Sequence, residues 1–72
     1  MKYYIVESSH WANNLEFKSK ISLTEGQCFR ITSHDGYNRY PTRFKVVSIS
    51  DTPKYVGRIV EIQAVDLNVE PF

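Results

Sequence analysis

Residues 27–50 read QCFRITSHDGYNRYPTRFKVVSIS and hold two apolar strand patterns, the strongest turn signal of the chain and four of its nine basic residues. Asp35-Gly36 is a hairpin signal because a two-residue type I′ loop needs positive φ at both positions, which Asp tolerates and Gly adopts freely. With those two residues as the loop, His34 lies opposite Tyr37, Ser33 opposite Asn38, Thr32 opposite Arg39 and Ile31 opposite Tyr40. Alternate residues then swap faces. One face collects Phe29, Ile31, Tyr40, Phe44 and Val46, and the other collects Arg30, Thr32, His34, Tyr37, Arg39, Arg43 and Lys45. The inner face is apolar; the outer face is cationic, with aromatic and imidazole rings among the charges. A second reading of the middle stands beside this one. Residues 33–42 are polar or Gly/Pro apart from two tyrosines, and Pro41 cannot donate to a ladder, so the segment also reads as a surface loop joining two shorter strands.

Working outward, Lys2–Ser8 is rich in β-formers, with Tyr3, Ile5 and Glu7 on one side and Tyr4 and Val6 on the other. Both sides are largely apolar, as in a central strand or one whose outer tyrosines meet a partner. Residues 9–14 turn the chain, and Trp11 in that turn reads as a lid over one barrel end, or as a stacking or interface anchor. Residues 15–23 show the cleanest alternation: Leu15, Phe17, Ile21 and Leu23 share one side with Ser19, while Glu16, Lys18, Lys20 and Ser22 share the polar side. A turn at 24–26 leads into the central hairpin, and the break at 51–53 ends it. A last strand is expected over 54–65, with a bend or bulge at Gly57. The tail, 66–72, reads as loosely held, although Leu67, Val69 and Phe72 could dock on the barrel or on a neighbouring chain. The expected core is Phe17, Ile21, Leu23, Phe29, Ile31, Phe44, Val46 and Ile62.

Five strands, short connections and no convincing helix predict an all-β fold, a small five-stranded antiparallel barrel or strongly bent sheet. The rhythm Ile21-x-Leu23-x-x-Gly26-x-x-Phe29-x-Ile31, followed by Phe44-x-Val46-Val47-x-Ile49, resembles that of SH3-like barrels, with an OB-type barrel as runner-up. The likeness is one of architecture over about half the chain, and many unrelated functions use such barrels.

Seventy-two residues predict one domain, 1–72, near the lower size limit for folding without disulfides or metal. The net charge of +1 points neither to a dedicated polyanion binder nor to an acidic nucleic-acid mimic. Its distribution is more informative. Residues 37–58 carry Arg39, Arg43, Lys45, Lys54 and Arg58 against Asp51 alone, whereas 59–72 carry only Glu61, Asp66 and Glu70. A single cysteine, Cys28, precludes an internal disulfide and suits a reducing compartment. With no spanning apolar run and a start too short and polar for a signal peptide, a cytoplasmic location away from membranes is expected.

Metal binding is not expected, since Cys28, His10 and His34 are the only soft or imidazole ligands and lack ligand spacing. No cofactor is implied: the three glycines lie far apart and build no phosphate cradle. Adjacency of Ser33, His34 and Asp35 counts for little, because a triad is assembled in space. Acid/base chemistry by His34 and His10, with Arg39 and Arg43 stabilising phosphate charge, would give a small β-rich ribonuclease; the chain is short for a catalytic pocket. The sequence instead points to a non-enzymatic binding module. Tyr and Arg are enriched at interface hot spots, which favours a protein partner, of adaptor or inhibitor type as in phage accessory proteins. The binding residues would be Arg30, His34, Tyr37, Arg39, Arg43 and Lys45. The alternative occupant of the same aromatic and basic face is a single-stranded nucleic acid. Exposed edges in so small a sheet would also favour a homodimer.

Overall fold

The inward-facing apolar positions read from the sequence become the inside of a closed β-barrel. In the computed structural model, which describes residues 1–36, 42–55, 57 and 59–72, the strands are β1 (Lys2–Ser8), β2 (Leu15–Ser19), β3 (Cys28–His34), β4 (Arg43–Ser50) and β5 (Val60–Asp66). They close in the order β1-β2-β5-β3-β4, with β4 pairing back onto β1. No described residue is helical. Closure leaves β1 paired on both edges, as expected of a central strand. One ladder departs from the antiparallel expectation: β2 and β5 run parallel, Phe17 opposite Val60 and Ser19 opposite Ile62. Parallel neighbours need a long crossover, and here β3 and β4 together supply it.

The core joins Tyr4, Val6, Phe17, Leu23, Phe29, Ile31, Phe44, Val46 and Ile62, with Leu15, Ile21, Val60 and Val65 packed around them. Ile21 is therefore a border residue, and Tyr4 and Val6 of β1 complete the interior. Phe44 is the hub, with Phe17 edge-on at 5.3 Å, Phe29 stacked at 5.6 Å and Trp11 edge-on at 6.4 Å between ring centroids. Trp11 covers this ring while remaining 45% exposed.

Two expected strands are shorter than their alternation suggests, each for a reason in hydrogen bonding. β2 stops at Ser19 because the Ser19 hydroxyl accepts the Ile21 N–H at 3.0 Å, a local bond that competes with the ladder. The same hydroxyl donates to the Ile62 carbonyl at 2.8 Å, so the polar residue on the apolar side is fully buried and satisfied. The last strand begins at Val60 rather than 54 because the Lys54 and Tyr55 N–H groups are used elsewhere. Both donate to the Glu16 carboxylate at 2.8 Å. Glu16, expected on the solvated side of β2, is consequently only 7% exposed, and its cross-strand partner Ile5 is buried beside it. Gly57, at φ 124°, supplies a backbone bend that side-chain-bearing residues rarely adopt.

The turn before β3 is tight. Gln27 N–H donates to the Thr24 carbonyl at 3.1 Å with Gly26 at φ 81°, the third position of a type II turn. Gly26 N–H then donates to the Val46 carbonyl at 2.8 Å, which ties the turn to β4.

Lys2 and Asp51 form an exposed ion pair. Their hydrogen bond and mutual charge raise the Lys2 pKa and lower that of Asp51. The contribution to stability is present in full between about 3.8 and 10.5, the two ordinary values. It is lost as pH falls through the depressed Asp51 pKa or rises through the elevated Lys2 pKa. Asp51→Asn should return the Lys2 ammonium towards its ordinary pKa in an NMR titration. An unchanged Lys2 titration would show that the pair does not persist in solution.

Candidate functional site

The central hairpin keeps its two faces but not its register. Phe29 pairs with Phe44, Arg30 with Arg43 and Cys28 with Lys45, two residues away from the pairing that an Asp35-Gly36 loop requires. A shift of two preserves every face, which is why the inside and outside assignments of 28–31 and 43–46 survive. Neither Asp35 nor Gly36 has a positive φ, so the type I′ turn is absent. β3 ends at His34, and β4 starts at Arg43. The physical reason lies in β5: from Arg30 onward β3 pairs with it, Arg30 opposite Asp66 and Ile31 opposite Val65, and Asp35 N–H donates to the Glu61 carbonyl at 2.9 Å. The chain has thus changed partner before reaching the predicted loop.

Three of the six predicted binding residues come together on the outside. Arg30 is exposed, and Arg43 and Lys45 are half-buried. Arg30 and Arg43 face one another across the ladder, an opposition of like charges that destabilises the bare sheet. Asp66 on the far side of Arg30 and Glu7 beside Lys45, with carboxylate and ammonium 3.7 Å apart, offset part of it. Tyr37 and Arg39, and with them Tyr40 of the expected inner face, lie outside the described residues.

His34 stands apart from these three. The β3–β5 ladder has irregularities at 31/33 and 33/34, which set His34 opposite Ile62, an inward-facing residue. Its Nδ1 is buried. A Cβ placed on Gly36 would lie 3.1 Å from that atom and 3.6 Å from a Val60 methyl, so the glycine serves close approach to the imidazole. His34 is thus half-buried opposite an inward-facing residue, without being one of the core residues. A bulge changes a strand's phase without any mark in the residue pattern.

The cationic face is already covered, by the tail. Arg43 Nη1 donates to the Glu70 carbonyl at 2.8 Å, and the Lys45 ammonium donates to that of Phe72. The Phe72 ring sits near both cations, with Arg43 Cζ 5.6 Å and Lys45 Nζ 4.9 Å from its centroid. At exposed sites such contacts contribute roughly 0.5–1 kcal/mol each. Docking of the tail through Phe72 was legible in its apolar residues. The involvement of Glu70 was not, because it acts through its backbone carbonyl, which every residue has.

Among the described residues no group of three or more His, Cys, Asp or Glu is arranged to hold a metal ion, and no helix is long and apolar enough to cross a membrane. What fold and face define is a small closed β-barrel whose outward Arg43 and Lys45 hold the chain's own residues 70–72. The chain matches no protein family, no curated protein and no solved structure.

Proposed function

We propose that this domain is a non-enzymatic protein-binding module that acts through the outer face of β3 and β4. The observation that carries this reading is the tail itself: Arg43 and Lys45 hold a stretch of polypeptide by two backbone carbonyls and one aromatic ring. Groups that suit a peptide in one chain suit a peptide of another. Arg30, exposed at the next strand, extends the surface towards β5. A protein of this kind would serve as an adaptor, or as an inhibitor that occupies its partner's surface, in the cytoplasm.

The test uses the intact chain as bait in nuclease-treated lysate of its host. Capture should survive nuclease and change little between low and physiological salt. Arg43→Ala should weaken it by about tenfold or more, as for a hot-spot arginine, while Arg30→Ala should leave stability within about 0.5 kcal/mol. If nuclease abolishes capture and affinity falls steeply with salt, the face serves single-stranded nucleic acid instead. Capture that is indifferent to Arg43→Ala would remove this face from consideration.

A further inference from the structure

Building on the protein-binding reading, we infer that Arg43 and Lys45 form a docking site for an extended, phenylalanine-bearing segment of a partner protein, and that residues 67–72 are its built-in competitor. The spacing is the first argument. Arg43 and Lys45 are two residues apart on one side of β4, and the main-chain oxygens they hold, of Glu70 and Phe72, are also two residues apart. Extended chains advance by a common step of about 6.7 Å per two residues, so any extended backbone can present carbonyls to both cations. The carbonyl contacts are thus indifferent to sequence. Selectivity comes from the ring, whose face attracts both cations, while a basic residue at that place would be repelled.

Weak retention of the tail is the second argument. Residues 67–72 belong to no strand, Leu67 is exposed, and Phe72 remains 37% exposed although it is the anchoring side chain. A segment held by surface contacts, with little apolar burial, opens at a small fraction of the global unfolding free energy. It can therefore yield to a ligand that makes the same contacts and buries the ring more completely. The competitor reduces apparent affinity by the fraction of time the site is free, which confines binding to partners that displace it.

The probe is a blocked peptide of residues 67–72, acetyl-Leu-Asn-Val-Glu-Pro-Phe-amide, titrated into the full-length, ¹⁵N-labelled chain. Phe72→Ala should bind it about tenfold more tightly than the wild type, since the internal occupant is weakened. Phe72→Leu, which keeps apolar volume but lacks the ring, should also bind more tightly. Amide shifts should centre on residues 43–45, and adding Arg43→Ala to Phe72→Ala should abolish them. Equal binding by wild type and both Phe72 variants, shifts away from β4, or a mass that doubles with concentration through tail exchange between copies would each overturn the inference. The two proposals fail separately: if Arg43→Ala weakens capture of the native partner while the peptide ignores Phe72→Ala, the module stands and the competitor falls. Capture indifferent to Arg43→Ala sinks the module whatever the peptide does.

Discussion

Phe44→Ala is expected to cost about 3–5 kcal/mol and to lower the denaturation midpoint sharply. The size of the effect follows from the position of the ring. Phe44 is fully buried in β4, and Phe17, Phe29 and Trp11 all pack on it at centroid distances of 5.3 to 6.4 Å. Truncation removes the transfer free energy of the ring and three aromatic contacts, and leaves a cavity that a closed barrel cannot collapse without breaking a ladder. A 72-residue domain has a total stability of about 4–11 kcal/mol at ordinary values per residue, so the loss takes between about a quarter and all of it. Urea denaturation followed by tryptophan fluorescence measures the change directly, since Trp11 reports on the same cluster. Val47→Ala is the internal control: Val47 is the extra residue at the β1–β4 register shift, 40% exposed on the same strand, and should cost less than about 0.5 kcal/mol. A Phe44→Ala protein with the wild-type denaturation midpoint would show that the core is not organised around this ring.

Tyr4→Phe is expected to cost about 2–3 kcal/mol, although it removes a single oxygen. The Tyr4 ring is buried among the core residues, and its hydroxyl donates to the Ile21 carbonyl at 2.6 Å while accepting the Leu23 N–H at 3.1 Å. Segment 20–23 leaves the ladder after Ser19, and this hydroxyl closes two of its backbone groups against the barrel end. Phenylalanine fills the same volume, so the loss isolates the two unsatisfied backbone groups from any packing change. The urea midpoint should fall with an unchanged m-value, and Tyr3→Phe on the opposite side of β1 should stay within about 0.5 kcal/mol of wild type. A Tyr4→Phe loss below that limit would mean that solvent replaces the hydroxyl and that the 20–23 segment is held by Leu23 alone.

The candidate site was half legible. Arg30, Arg43 and Lys45 alternate with buried residues in strands whose parity is written in the sequence, so their outward placement could be read at once. The half-buried place of His34 could not, because the β3–β5 register shifts that set it opposite Ile62 arise from which strand β3 meets. Nor could the pairing of Glu7 with Lys45 or of Asp66 with Arg30, since both depend on strand order.

The sequence by itself determined the all-β class, the number of strands, the extent of β1 and most of the inward set of apolar residues, Ile21 at its border and Tyr4 and Val6 being the differences. Each of these is a local matter: period-two alternation and β-propensity act within a strand, whatever lies beside it. Tertiary structure decided everything that needs a neighbour. It chose the parallel β2–β5 ladder and moved the β3–β4 register by two residues. It buried Glu16 beneath the backbone of 54–55 and laid Phe72 on the cations of β4. The physical reason is that a backbone N–H or carbonyl is the same at every residue, so hydrogen bonding carries no sequence signal until closure of the barrel limits which groups can meet.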